Sequence, residues 1–200
     1  MRTTPLPIEI LRQRLIAEIT TCQRELKHRL SVSDSTLSKF PIELDITLIK
    51  SPGPVLWEGM ITTKYTHKLK IIITENYPYQ KPIVRWLSPI FHPNIMPPHE
   101  GGYVCTKLFE NWNPRSTLVM FIKGLETLLA GPNPDNPLGS EACLKSAEYF
   151  KKHPYKPPLI IDKIKAKPKI LGSAVIEEEA DDEVPTENIK PQEGDKDSSS

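Results

Sequence analysis

The chain has 200 residues, 38% of them hydrophobic and 26% charged, which is enough apolar material for one main soluble domain. Its formal net charge is +1, but residues 177–200 hold ten acidic and two basic side chains, so the preceding part is basic. The cations of that part are scattered rather than interleaved with an aromatic stripe, which argues against a nucleic-acid-binding protein.

The cysteines and the N-terminus indicate where the protein works. Cys22, Cys105 and Cys143 form an odd set without short spacing, which argues against a disulfide framework and fits a reducing interior. The first residues lack the apolar core and cleavage site of a signal peptide, and no apolar run approaches the about 18 residues of a membrane span. We therefore expect a cytoplasmic protein that does not engage a membrane.

An N-terminal helix is predicted over residues 6–30. Apolar side chains recur there every three or four residues, at Ile8, Leu11, Leu15, Ile19, Cys22, Leu26 and Leu30. This is the period of a helix with one buried stripe. The opposite face is basic, with Arg12, Arg14, Arg24, Lys27 and Arg29. Such a face is either a solvated surface or a docking surface for an acidic partner.

Four strands are predicted next, because apolar residues alternate with polar ones or cluster in short runs. They cover residues 42–49, 55–63, 68–74 and 83–87. The cluster Ser51-Pro52-Gly53-Pro54 is typical of a turn. The prolines of residues 76–82 forbid regular pairing before the last strand. The pattern predicts an α+β fold with an antiparallel meander.

The rest of the chain divides into a long irregular segment, two helices and a tail. Residues 88–114 are too rich in proline and glycine for regular structure, and unstructured stretches of that length are usually functional. Ser116 is predicted to cap a helix to about Ala130, and Ser140 a helix to about His153. Past Pro158 the sequence loses its periodicity. We expect a core domain over residues 1–158 and a disordered tail, lysine-rich and then acidic, over 159–200.

Six features in a fixed order carry a resemblance to a known family. Together they resemble the ubiquitin-conjugating enzymes over about residues 5–153. They are the order of the predicted elements, Tyr77-Pro78 with Pro82, the tripeptide His92-Pro93-Asn94, the lone Cys105, the turn Trp112-x-Pro114 and the loop Pro132-Asn133-Pro134-Asp135-x-Pro137.

The resemblance implies a fold and an activity. The fold is the ubiquitin-conjugating one: an N-terminal helix, a four-stranded antiparallel meander, a long active-site segment and two or more C-terminal helices. Cys105 would accept the C-terminus of ubiquitin, or of a ubiquitin-like modifier, from an activating enzyme as a thioester. With a RING-type or other ligase it would then pass the modifier to a lysine of a protein substrate, forming an isopeptide bond. The domain itself would need no cofactor or metal, since ATP and magnesium are used by the activating enzyme.

The resemblance also assigns roles around the thiol. Asn94 would supply a side-chain amide that either supports the oxyanion of the tetrahedral intermediate or holds the loop in which the cysteine lies. His92 and Pro93 would organise the turn around it, His92 as a structural hydrogen-bonding group rather than a general base. Trp112 and Pro114 would support the site.

Two neighbouring residues would receive the incoming lysine. The family often has an acidic residue at the position matched by Asn136, which can orient an amine but cannot carry a negative charge. Asp135 would substitute if the loop turns suitably.

Lys107 also departs from the family pattern, because the family frequently has an acidic residue two positions after the cysteine. A cation near a thiol favours the thiolate.

A surface for the activating enzyme and the ligase is also implied. The matching positions are Arg12 on the first helix, Tyr79 in the proline segment, and Pro114 with Arg115 after the tryptophan. Exposed aromatic and arginine side chains often dominate interface energetics. The alternative is that Tyr79 only packs on its own loop.

Three other functions fit part of the pattern. His92, His99 and Cys105 contain acceptable zinc ligands but lack a fourth ligand and paired short spacing. A cysteine hydrolase would need a histidine base near Cys105, yet His92 and Asn94 sit in one turn and the chain has no second lobe. A non-catalytic ubiquitin-binding adaptor of the same fold would typically lack the cysteine.

Overall fold

The N-terminal helix, α1, spans Ile8–Glu25 in the computed structural model, which describes residues 5–26, 30–33, 37 and 39–157. Leu11, Leu15, Cys22 and Leu26 are buried, as the spacing predicts, whereas Ile8 is 49% exposed. The prediction is wrong at the C-terminal end. Leu30 starts a strand that pairs with residues 45–48, and this pairing takes it out of the helix.

An antiparallel sheet of four strands follows, in the order β1-β2-β3-β4. The strands are β1 Leu30–Ser33, β2 Ile42–Trp57, β3 Met60–Ile73 and β4 Ile83–Trp86. The predicted fold class and the four-stranded antiparallel meander are confirmed. The bounds differ in two places. β1 alternates apolar and polar residues but is only four residues long and was not predicted as a strand. The predicted strand over residues 55–63 is wrong, because it contains the hairpin turn between the end of β2 and the start of β3.

The proline-glycine cluster at residues 51–54 is not a turn. It lies within β2, where the pairing with β3 shifts register between Ile49 and Gly53, so the strand bulges and continues. The hairpin turns instead at Glu58 and Gly59, with φ values of 48° and 79°. Two consecutive positive φ angles are the signature of the two-residue turn that matches strand twist. The predicted break at residues 64–67 lies inside β3.

Gly53 has a packing reason for lacking a side chain. A Cβ at this position would lie 2.4 Å from Leu129 Cδ1 and 2.9 Å from His67 Nε2. The bulge therefore lets the second long helix approach β2 closely. His67, on β3, is fully buried beside this contact.

The two C-terminal helices are α2, Leu118–Ala130, and α3, Glu141–Lys152. Ser140 caps α3 as predicted, since its side chain accepts the N–H of Cys143. The cap of α2 is Thr117 rather than Ser116. The Ser116 hydroxyl instead accepts the N–H of Asn113 and so closes the turn before the helix.

The core lies between the sheet and the helices α1 and α2. Leu11 and Leu15 of α1 and Phe121 and Leu125 of α2 join the inner face of the sheet in one cluster. Within the described ranges, no helix combines the length and the apolar character needed to cross a membrane. The predicted boundary at residue 158 and the predicted disordered tail lie outside the described residues.

Candidate active site

The segment from His92 to Cys105 folds back on itself as an irregular hairpin. Ile95 pairs with Val104, and the N–H of Met96 donates to the carbonyl of Tyr103 at 2.8 Å. On its other side the returning chain pairs with β4, where the N–H of Trp86 donates to Gly102 O at 2.7 Å. The proline-rich segment thus gains sheet-like pairing that its sequence does not show.

A tight turn at the tip makes this return possible. Pro98–Glu100 forms a short 3₁₀ helix, and Gly101 and Gly102 follow with φ values of 101° and 64°. A Cβ on Gly102 would lie 2.4 Å from the carbonyl oxygen of Trp86. Glycine is therefore required for the backbone to reach β4.

Asn94 connects the cysteine strand to the loop between α2 and α3. Its backbone carbonyl accepts the N–H of Cys105 at 2.8 Å. Its amide nitrogen donates to Asn133 O at 3.1 Å and to Asn136 O at 2.8 Å, while Oδ1 accepts the N–H of Asn133 at 2.8 Å. Both amide protons are donated to backbone carbonyls, so this geometry favours a loop-holding role over direct support of an oxyanion. The loop that the side chain holds is the one between α2 and α3, not the expected loop in which the cysteine lies.

His92 is a neutral structural group. Its Nδ1 accepts the N–H of Asn94 at 3.0 Å, which leaves the proton on Nε2 to donate to Leu128 O at 3.0 Å. The side chain is 1% exposed, and this burial lowers its pKa to about 3. Pro93 adds a third tie, since its carbonyl accepts the N–H of Leu138 at 2.8 Å. The tripeptide therefore fixes the end of α2 and the following loop beside the cysteine strand.

The three thiols differ in their surroundings. Cys22 and Cys143 are buried, whereas Cys105 is partly exposed. Burial raises the pKa of Cys22 to about 12 and also raises the pKa of Cys143. Because the thiolate is the nucleophile, burial suppresses the reactivity of Cys22 and Cys143, and Cys105 is the thiol open to a reagent.

A labelling experiment checks this difference. We expect brief treatment of the folded protein with iodoacetamide to modify Cys105 at least about tenfold faster than Cys22 or Cys143, because both buried thiols lack solvent access and thiolate. Peptide mass spectrometry would measure the three rates, and the unfolded protein serves as control, where they should converge. Equal rates in the folded protein would contradict the assignment.

Asp135 and Asn136 both lie in the loop that Asn94 holds. Both side chains are exposed. The N–H of Asp135 donates to Asn133 Oδ1 at 3.0 Å, which shapes the turn, and Asn136 contributes its carbonyl to Asn94. The structure thus ties this loop to the cysteine strand through Asn94, and the roles of Asp135 and Asn136 in receiving an amine stay predictions.

Trp112 supports the segment after the cysteine. Its Nε1 donates to Pro78 O at 2.7 Å, and its ring packs edge-on against Phe121 of α2 with centroids 5.7 Å apart. Pro114 is exposed in the turn that follows. The tryptophan therefore joins the predicted proline segment to α2.

The residues expected to contact partners lie at least partly at the surface. Pro114 and Arg115 are exposed, and Tyr79 and Arg12 are partly buried. The Arg12 guanidinium is bound to Glu9 at 2.8 Å and to Leu37 O at 3.1 Å. Their role in binding stays a prediction.

The sequence did not predict a hydrogen-bond network centred on Glu18 of α1. The Glu18 carboxylate accepts hydrogen bonds from Tyr77 at 2.5 Å, from the N–H of Leu118 at 2.7 Å and from Arg14 at 2.7 Å. Arg14 also donates to Ser116 O at 3.0 Å. Arg14 is therefore partly buried and bonded to this network, rather than being part of a solvated basic face. An acid four residues after an arginine on the helix was the available signal.

A lysine bonded to the backbone directly after Cys105 was also missed. Lys81, in the proline segment, donates to the carbonyl of Thr106 at 3.1 Å, whereas Lys107 is exposed.

The zinc alternative gains no support, since the described part of the chain contains no group of three or more His, Cys, Asp or Glu side chains placed to hold a metal.

A known protein family matches most of this chain. The sequence pattern of the family described as ubiquitin-conjugating enzyme matches residues 14–157. Ubiquitin-conjugating enzyme E2 3 of Arabidopsis thaliana is 37% identical over 97 residues, which cover 48% of this chain and 59% of that protein. Protein PEROXIN-4 of Arabidopsis thaliana is 32% identical over 136 residues, 66% of this chain and 79% of that protein.

Solved structures show the same fold. The E2 domain of a Toxoplasma gondii ubiquitin conjugating enzyme superimposes with a TM-score of 0.53 at 23% identity, covering 71% of this chain and 88% of that one. The family pattern covers most of this sequence, including the cysteine strand and its supporting loop. The chain belongs to the ubiquitin-conjugating enzyme family.

Proposed function

We propose that this protein carries ubiquitin, or a ubiquitin-like modifier, as a thioester on Cys105 and transfers it to lysine amines. The modifier would come from an activating enzyme that uses ATP and magnesium, and a RING-type or other ligase would assist its delivery to a protein substrate. The observation that carries the proposal is the link from the partly exposed Cys105 through Asn94 to the loop at residues 133–136.

Loading exchanges one thioester for another. The Cys105 thiolate attacks the carbonyl carbon of the modifier thioester on the activating enzyme, and the thiolate of that enzyme leaves. The backbone bond from Cys105 N–H to Asn94 O, 2.8 Å long, holds the cysteine backbone in place during the exchange.

Transfer consumes the thioester. A neutral lysine amine attacks the carbonyl carbon, the C–N bond forms, the C–S bond breaks, and the Cys105 thiolate leaves while the nitrogen loses a proton. Asp135 and Asn136, exposed on the loop held by Asn94, are the groups we assign to receiving that amine. Desolvation of the amine beside the loop would favour its neutral form.

Incubation with an activating enzyme, ATP and ubiquitin tests the proposal. A non-reducing gel should show an adduct that thiol removes, and Cys105→Ala should abolish it completely. Cys105→Ser should replace it with a thiol-resistant ester. Cys143→Ala is the matched control, because that thiol is buried and should leave the adduct unchanged. Repeating the assay with a ubiquitin-like modifier and its own activating enzyme separates the two modifiers.

The adaptor alternative predicts a different result. A non-catalytic protein of this fold would bind ubiquitin without forming the adduct, and Cys105→Ala would bind as well as the unaltered chain. Absence of any thiol-sensitive adduct, with every cognate modifier and activating enzyme pair tried, would overturn the proposal.

A further inference from the structure

The hairpin of residues 92–105, called here the cysteine hairpin, is bonded at its tip to the start of α3. Glu100 is the last residue of the short 3₁₀ helix at the tip, and its Oε1 accepts the N–H of Ala142 at 3.1 Å. The two residues are 42 apart in the chain. No part of the loading or transfer chemistry described above uses this carboxylate.

The bond completes the N-terminal cap of α3. The first N–H groups of a helix have no acceptor within the helix. The Ser140 hydroxyl accepts the N–H of Cys143, and Glu100 supplies the acceptor for the N–H of Ala142. The positive end of the helix dipole also favours a negative charge at this place. The tip of the cysteine hairpin therefore acts as a second cap for α3.

The Glu100 carboxylate is held in a partly enclosed position. The side chain is partly buried, and Oε2 is buried without a hydrogen-bond partner among the described residues. Burying a carboxylate oxygen in this way costs free energy. The bond from Ala142 and the packing of the tip must offset this cost, so the contact is a specific one rather than a chance encounter of two exposed groups.

Glu100 is one of several attachments between the cysteine hairpin and the connection from α2 to α3. Near the start of the hairpin, Asn94 holds the loop at residues 133–136, and the Pro93 carbonyl accepts the N–H of Leu138 at 2.8 Å. At the tip, Glu100 holds the first turn of α3. The loop proposed to receive the amine thus leads into a helix whose start is fixed to the same hairpin.

We propose that Glu100 is a positioning residue for acyl transfer. Its bond to Ala142 fixes the end of the connection that follows residues 133–136, and so keeps that loop where it receives the incoming amine. The inference rests on the proposed function, because it requires a thioester on Cys105. Glu100 itself does not touch the reacting atoms and acts through the start of α3.

Loss of this bond should slow transfer to an amine and spare the other reactions of the thioester. Loading on Cys105 requires the thiol and the activating enzyme but no amine, and hydrolysis by water requires no amine either. Transfer to lysine should fall about fivefold in Glu100→Ala, which is a small part of what misplacing a reacting group can cost. The share of the thioester that is lost to water should therefore rise.

Single-turnover discharge measures these two rates separately. The full chain is loaded with ubiquitin, the activating enzyme is stopped with EDTA, and the thioester is followed over a series of free lysine concentrations. The slope of the decay rate against lysine concentration reports transfer, and the intercept reports decay without added amine. Glu100→Ala should lower the slope about fivefold at an unchanged intercept. Hydrogen exchange should be faster at the Asp135 amide.

Three further variants separate the bond from other effects. Glu100→Gln keeps an oxygen acceptor for Ala142 and should restore most of the slope. Glu100→Asp keeps the charge, but its carboxylate is one methylene shorter, so it should lower the slope as alanine does. Glu141→Ala is the matched control, because it removes a carboxylate that is exposed in the same helical turn and bonded to Lys145 at 2.6 Å. It should leave slope and intercept unchanged.

The possible outcomes are distinguishable. A loaded Glu100→Ala chain with an unchanged slope overturns the inference and leaves the proposed function standing. A slope that falls as far in Glu100→Gln or in Glu141→Ala also overturns it, because loss of charge or of helix capping would then be the cause. A slope and an intercept that fall together would reject a positioning role. If the unaltered chain forms no thioester, the proposed function and the inference are both wrong.

Discussion

Replacing Asn94 with alanine is expected to lower the free energy of unfolding by about 3 kcal/mol, at about 1 kcal/mol for each of the three side-chain hydrogen bonds lost. Those bonds join Asn94 to Asn133 and Asn136 across 39 and 42 residues. Transfer from the Cys105 thioester should slow by about 100-fold, since a displaced loop misplaces the incoming amine. Urea unfolding and single-turnover discharge to free lysine measure the two effects.

Asn113→Ala is the matched control for stability. Asn113 also uses its side-chain oxygen and nitrogen on nearby backbone groups, Arg115 N–H and Asn111 O, but it is exposed. Its loss should cost less than about 1 kcal/mol, because water replaces the lost partners.

Hydrogen exchange then separates the two roles of Asn94. In the loop-holding role, Asn94→Ala should remove the protection of the Asn133 amide. If discharge slows while that protection and the free energy of unfolding stay unchanged, the amide acts on the oxyanion instead and the loop-holding role is wrong.

The second large effect is a loss of stability in mild acid. His92 and His67 are buried at 1% and 0% exposure, and burial lowers their pKa values to about 3 and about 4. In the unfolded chain both rings would titrate near about 6.5. Between these values the unfolded state binds more protons, so stability falls as pH decreases below about 6.5. From pH 7.5 to 5.0 we expect a loss of about 2 kcal/mol per histidine, about 4 kcal/mol together.

Urea unfolding at the two pH values measures this loss. His92→Gln and His67→Gln should each reduce the difference between the two pH values by about half, whatever their effect on stability at pH 7.5. His99→Gln is the control, because that side chain is exposed in the folded protein. A difference that stays near about 4 kcal/mol in His92→Gln would show that other groups cause the acid sensitivity.

Local sequence signals were sufficient for the existence and the buried face of the helices and for the nature of the sheet. The three- and four-residue spacing of Leu11, Leu15 and Cys22 depends only on helix geometry, and these side chains are buried as predicted. Ser140 caps its helix through a bond three residues away. The alternation of residues 42–48 likewise places one face of β2 in the core.

Signals that depend on distant partners were interpreted incorrectly or missed. Leu30 continues a helical spacing but pairs with Leu48 in the sheet. The cluster at residues 51–54 has turn composition, yet pairing with β3 and contact with Leu129 make it a bulge. In both cases tertiary contacts stabilise a conformation that the local sequence does not favour.

The same division holds at the candidate site. The sequence by itself determined the family pattern, the fold class and Cys105 as the thiol to examine, because these follow from residue types in a fixed order. Only the tertiary structure decided that Asn94 donates both amide protons to the carbonyls of residues 133 and 136, and that Lys81 bonds to the carbonyl of Thr106. The reason is that hydrogen bonds between segments 25 to 42 residues apart form only once the core has brought those segments together, and nothing in the spacing of either segment specifies the other.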